Sequence, residues 1–173
     1  VIEAPDSLIG RGSLERLGEL AAKAPYGHFV EVGVYRGGSA WYLAQAAREK
    51  RARLLLFDTF TGIPFEAPDD SNHVGEFGDT SAASVQAAIP DAELFVGIFP
   101  ETLPRDLDGI AFVHSDCDQY KSVRTVIDYL WPRMVPGGIM TFDDMNTTGG
   151  RRAIEETFPE RHQFFGWTYV VKV

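Results

Sequence analysis

The sequence predicts an α/β protein in which a mostly parallel sheet carries helices on both faces and ends in an antiparallel strand. Three features point there. Short apolar runs alternate with stretches of helical periodicity, the rhythm of successive strand–helix units. A glycine-rich turn, EVGVYRGGS at residues 31–39, sits where the first such run gives way to a helical pattern. The last run, WTYVVKV, alternates like a strand with one face in solvent.

Taken in order, Ser13 can cap a first helix whose apolar side is Leu14, Leu17, Leu20 and Ala21. Residues 28–32 read as the first strand, and 38–50 as the helix after the glycine turn. A second strand, 53–57, ends at Asp58. Beyond a long loop, 82–88 is helix-like and 93–98 is a third strand. The fourth strand is 110–115. Val123, Val126, Ile127 and Leu130 then recur at helical spacing, and Pro132 stops that helix. VPGG turns the chain into a fifth strand, 139–142. A helix near 151–158 leads to 162–165, which forms an edge hairpin with the final run. No repeat or linker divides the 173 residues, a length that favours one domain with its own core.

Residues 62–81 form an unusually long loop with five acids, Glu66, Asp69, Asp70, Glu76 and Asp79. Such loops serve as lids or binding loops, or are solvated excursions, and both readings stay open.

Composition narrows the function classes. Hydrophobic residues make up 45% and charged residues 24%, a globular balance. The formal charge of -9 repels a polyanion, so nucleic acid is not an expected partner. No apolar run reaches the length of a membrane span, and no signal peptide is visible, although the chain begins at Val1 rather than Met. Cys117 is the only cysteine, which excludes an intrachain disulfide and fits a cytoplasmic setting.

In a sheet of this type the ligand lies beyond the carboxyl ends of the strands, where the glycine turn is. A dinucleotide loop keeps a second glycine so that backbone amides can approach a pyrophosphate. Tyr35 occupies that place here, and the glycines are Gly33, Gly37 and Gly38. Its ring crowds a pyrophosphate but suits a phosphate-free ligand with an amino-acid tail, such as S-adenosylmethionine. Asp58 is placed to bind both ribose hydroxyls of that ligand, or else caps a turn.

The segments FVEVGVYRGGSA, LFDTFTGIP, FPETLP, DCDQYKS and VPGGIMTFDDM resemble, in order, the motifs of the macrocin O-methyltransferase family. The first is also similar to that of catechol O-methyltransferases. The resemblance spans about residues 28 to 158. It implies a seven-stranded, Rossmann-like class I methyltransferase fold, S-adenosylmethionine and Mg2+ as cofactors, and a hydroxylated natural product, a sugar or polyol, as acceptor. It places Glu31, Gly33, Tyr35, Gly37 and Ser39 around the methionine part, Asp58 at the ribose, and Thr59 and Phe60 by the adenine.

Asp116 follows the fourth strand, and Asp143 and Asp144 follow the fifth, so a parallel sheet brings them to the rim that carries the glycine turn. Clustered carboxylates repel and need a cation. Oxygen-only ligation suits a hard ion such as Mg2+. Adjacent Asp143 and Asp144 can share an ion only if the strand has ended, and one of them can instead cap a turn. In the family the matching three aspartates hold the metal. The proton acceptor is less defined. Catechol enzymes use a lysine where this chain has Gln119, and Lys121 is out of register. Asp116 is the expected base, with His73 and His114 as rivals, and Asp118 reads as a cap for a helix starting near Tyr120. Two other functions compete: a cofactor-binding module without catalysis, and a nicotinamide dehydrogenase. The alternating C-terminal strand offers an edge for homo-oligomer pairing.

Overall fold

The computed structural model describes residues 3–67, 70 and 72–173. Asp69, one of the five loop acids, and Val1 lie outside the described residues. Seven strands form one sheet: β1 (His28–Val32), β2 (Leu54–Asp58), β3 (Glu93–Val96), β4 (Ile110–Ser115), β5 (Met134–Phe142), β6 (His162–Phe164) and β7 (Trp167–Val171). Their order is β3-β2-β1-β4-β5-β7-β6. The neighbours from β3 through β5 pair in parallel, and β7 runs antiparallel to both β5 and β6. This is the expected architecture.

The reason lies in the apolar runs. On β2, Leu54 and Leu56 enter one core cluster while Leu55 and Phe57 enter the other. A strand apolar at every position must be covered on both faces. Helices α1 (Arg11–Ala22), α2 (Gly38–Lys50) and α3 (Ala82–Ala88) cover one face with Leu17, Leu43 and Val85. Helices α4 (Tyr120–Leu130) and α5 (Thr148–Thr157) cover the other with Val123, Ile127 and Ile154.

Several boundaries differ from expectation. Helix α1 begins at Arg11 on Gly10, whose carbonyl accepts from the amides of Ser13 and Leu14, so Ser13 is not its cap. Helix α4 does end at Leu130, ahead of Pro132 as expected, and Pro132 sits in the short 3₁₀ turn Trp131–Arg133 that follows, because proline is tolerated in a first turn. VPGG is not a turn but lies inside β5. Gly137 has φ +80 and donates to the carbonyl of Lys172, while Gly138 accepts from the amide of Lys172, so the stretch bulges without leaving the sheet. Strand β3 ends at Val96, because Gly97 takes φ +140. Helix α5 starts at Thr148, where the hydroxyl of Thr147 accepts from Gly150 N. The β6–β7 connection is Phe165-Gly166, both at positive φ, the two-residue turn whose twist matches flanking strands.

The strand order reverses at β1, which has β2 on one side and β4 on the other. The crevice between the carboxyl ends of β1 and β4 is therefore where a ligand is expected.

Candidate functional site

A cavity of ≈ 520 Å³ opens at that crevice. Its floor is the turn after β1, with Gly33, Val34, Tyr35, Gly38 and Ser39. A Cβ at Gly33 would stand 1.7 Å from the carbonyl oxygen of Asp116, so only glycine lets the β1 turn meet the end of β4. Tyr35 is in the left-handed region at φ +52 and is held there by long-range contacts. Its hydroxyl donates to Asp79 at 2.8 Å, its carbonyl accepts from the hydroxyl of Thr80, and its ring meets Phe77 edge-on. Arg36 forms an ion pair with Asp79. The turn thus carries one end of the long loop.

Asp58 takes the turn-capping role that the sequence left as its alternative. Its Oδ2 accepts from Val34 N at 2.6 Å and Tyr35 N at 2.8 Å, and its Oδ1 accepts from Phe60 N at 2.7 Å. The carboxylate clamps the glycine turn to the end of β2 while remaining on the cavity wall. Thr59 also lines the cavity, with its hydroxyl donating to Gly62 O. Phe60 does not: its ring is buried in the core with Val85 and Leu56. Gly37 likewise serves structure, as the left-handed residue that starts α2.

Glu31 lies beneath this turn and is fully buried. Ser39 Oγ donates to its Oε1, whereas Oε2 has no partner. Burial, with a smaller repulsion from Asp58, pushes its carboxyl up to about 8, against the opposing hydrogen bond from Ser39. An orphaned acceptor on a buried acid fits a cationic donor group, the kind that an amino-acid tail carries.

Next to the turn the lining is acidic, with Asp116, Asp118 and Asp143. Among the described residues none of these three carboxylates has a hydrogen-bond or ion-pair partner. Burial raises Asp116 well above the usual carboxylate range, and the charges of Asp143, Asp144, Asp118 and Glu31 raise it further. Burial, then Asp143, Glu76 and Asp70, push Asp118 up to about 6. Burial also raises Asp143. The strand has ended at Phe142, as a shared role for Asp143 and Asp144 requires. Asp144, however, is turned into the protein. Its Oδ1 accepts from Asp118 N at 2.6 Å and its Oδ2 from Ser115 Oγ at 3.3 Å. Among the described residues no three His, Cys, Asp or Glu side chains are arranged as a metal-holding group.

Asp118 is not the cap of α4. It sits at φ +61, Gln119 takes the N-cap place, and the carboxylate of Asp70 faces Tyr120 N at 3.3 Å. Neither of the two candidate histidines lines the cavity. His114 is fully buried, its Nδ1 bonded with Thr141 Oγ1 and its ring against Trp167, and burial drives its pKa down to about 3. His73 is exposed on the long loop, 3.9 Å from Glu66.

Three further parts of the wall had no cofactor or metal role assigned from sequence: Asp6 to Ile9 before α1, Gly97 to Glu101 after β3, and Lys121, Ser122 and Thr125 on α4. The motifs FPETLP and DCDQYKS overlap the second and third of these, while nothing in the chain marks the first. The long loop also belongs to the site, since Gly62, Ile63, Pro64, Phe65 and Phe77 line the cavity.

Residues 30–145 match the family model described as a methyltransferase domain. The chain belongs to the methyltransferase domain family. It is 28% identical over 149 residues to the 8-demethyl-8-(2,3-dimethoxy-alpha-L-rhamnosyl)-tetracenomycin-C 4'-O-methyltransferase of Streptomyces olivaceus, covering 75% of this chain and 57% of that protein. It is 27% identical over 157 residues to mycinamicin III 3''-O-methyltransferase of Micromonospora griseorubida, covering 79% and 61%. The chain thus spans about three fifths of the length of these curated relatives. They support the macrocin-type resemblance. The solved O-methyltransferase NovP superposes with a TM-score of 0.78 at 21% identity, covering 96% of this chain and 82% of NovP. The calicheamicin methyltransferase CalS11 gives 0.74 at 22%, covering 92% and 77%. The fold is that of class I O-methyltransferases. Among the described residues no helix is long and apolar enough to cross a membrane.

Proposed function

We propose that this methyltransferase-family chain transfers a methyl group from S-adenosylmethionine to a hydroxyl of a small natural product, a sugar or polyol, with help from Mg2+. The observation that carries it is that one cavity is lined both by the Tyr35 turn and by unpartnered carboxylates, Asp116, Asp118 and Asp143. The names of the relatives support the acceptor class.

When bound, S-adenosylmethionine supplies an electrophilic methyl on a sulfonium, and a divalent ion lowers the pKa of a hydroxyl that it holds. The chain's own residues do the rest. Ser39 borders the ammonium end of the donor with Glu31 buried behind it, and Asp58 keeps the turn in shape while Thr59 borders the nucleoside part. The oxygen-only donor set fits a hard cation. Asp116 and Asp143 would hold it, and Asp144 joins them only by releasing the amide of Asp118. Asp116, the base expected from sequence, is then engaged as a ligand, so Asp118, two residues on and without a partner, is better placed to take the acceptor's proton. The single unpaired thiol, Cys117, supports a cytoplasmic setting; the C-terminal strand β7 is not an edge, since it pairs with both β5 and β6, so on this side a second copy would pair along β6.

Thermal stabilisation by S-adenosylhomocysteine, with and without Mg2+, tests the reading, because a ligand of the folded state raises its stability by mass action. The expected result is a Tm rise with S-adenosylhomocysteine, enlarged by Mg2+ in the parent and not in Asp143→Asn. No shift with either would sink the reading. The rival reading is cofactor binding without transfer. That rival predicts the Tm rise but no labelled methyl on any acceptor in a glycoside and polyol panel. The nicotinamide reading is disfavoured by the ring of Tyr35 and by the family.

A further inference from the structure

We propose that Gln119 is a positioning residue for the acceptor, tethering the long loop over the acidic wall; the proposal rests on the methyl-transfer reading. Gln119 is fully buried, yet half of its amide does nothing. Its Nε2 donates to Phe65 O at 2.8 Å, across 54 residues, while Oε1 has no partner. It stands at the N-cap of α4 without capping that helix. A buried amide oxygen left unsatisfied destabilises the fold, and a methionine of the same length would fill the space without that penalty. Stability therefore does not explain a glutamine here.

What the glutamine does is hold Phe65. Phe65, with Ile63 and Pro64, lines the cavity and shares it with Asp116 and Asp118. Two further contacts fix the same stretch to the start of α4. Asp70 faces Tyr120 N and fits against Gly149, where a Cβ would stand 1.5 Å from its Oδ1. Lys121 Nζ lies 5.0 Å from the centre of the Phe65 ring. The other end of the loop is fastened separately, by Asp79 and Thr80 on Tyr35 and Arg36. Freeing the Gln119 end would thus loosen the acceptor side and leave the cofactor turn intact.

Gln119→Met tests this. The loop holds Glu66 and Glu76, both exposed, so a glutamate-specific protease reports its opening. With one hydrogen bond removed, cleavage at these sites should run roughly fivefold faster than in the parent. With methyl α-L-rhamnopyranoside as the acceptor probe, KM should rise by a similar factor while kcat stays within about twofold. Tm should be unchanged or higher, and affinity for S-adenosylhomocysteine should not move. A lower Tm, unchanged cleavage, an unchanged KM or weakened S-adenosylhomocysteine binding would each overturn the proposal. If the parent methylates nothing in the glycoside and polyol panel, the proposed function fails, and cleavage with Tm still decides the tether.

Discussion

Tyr35 and Glu31 show how far single residues could be read. Tyr35 stood out because a tyrosine replaces a loop glycine, and that alone argued against a pyrophosphate. Its partner Asp79, 44 residues further on, has no signature in the chain. Glu31 read as one member of a motif, whereas its complete burial is visible only when α2 and the sheet close around it. That burial has a pH consequence. The carboxyl titrates near 8 in the fold, against an ordinary 4.5. The folded state then binds the proton more tightly than the unfolded chain, so the group's favourable contribution is intact below pH 4.5 and lost as pH rises to 8. In Glu31→Gln this loss is absent. Melting of the ligand-free protein at pH 6 and pH 8.5 should show a smaller fall in Tm for the variant than for the parent. At pH 8.5 the variant should melt higher, by about 2–4 °C for each kcal/mol recovered. Equal falls would show that Glu31 does not titrate in this range.

At the scale of elements, type and order were legible while ends were not. The apolar runs and helical spacings located all seven strands: burial on both faces leaves a continuous trace in the central strands β1, β2 and β4, and alternation marks β7. Ends depend on hydrogen bonds with distant partners. The bulge at Gly137 and Gly138 exists because β7 offers Lys172 to it, and α4 starts beside a carboxylate from residue 70. The turn between β1 and α2 is another such case, since one side chain from the end of β2 satisfies three amides of turns around the cavity. Asp58→Ala leaves those amides without their acceptor. Each buried donor so stranded costs about 1–3 kcal/mol. The variant should lose S-adenosylhomocysteine affinity by at least roughly tenfold in calorimetry. Affinity within twofold of the parent would mean that the turn keeps its shape without the clamp.

The whole molecule rests on two apolar layers, one on each side of the sheet, and the centre of the sheet should be the least tolerant position. Phe112 on β4 is fully buried and lies 5.5 Å from the ring of Phe29. Phe112→Ala should cost about 3–5 kcal/mol, seen as a fall of roughly 6–20 °C in Tm. A fall of under 2 °C would show that the core closes over the gap. By itself the sequence determined the class of fold, the strands, and the rim where the chemistry gathers, because hydrophobic period and the direction of a parallel sheet are local or topological properties. Only the tertiary structure decided which acids face the cavity and which face inward, that Asp58 serves the backbone, and that the long loop is wall rather than excursion. Those outcomes turn on hydrogen-bond partners 23 to 54 residues away, and the pairing of such partners is settled by packing rather than by any stretch of the chain.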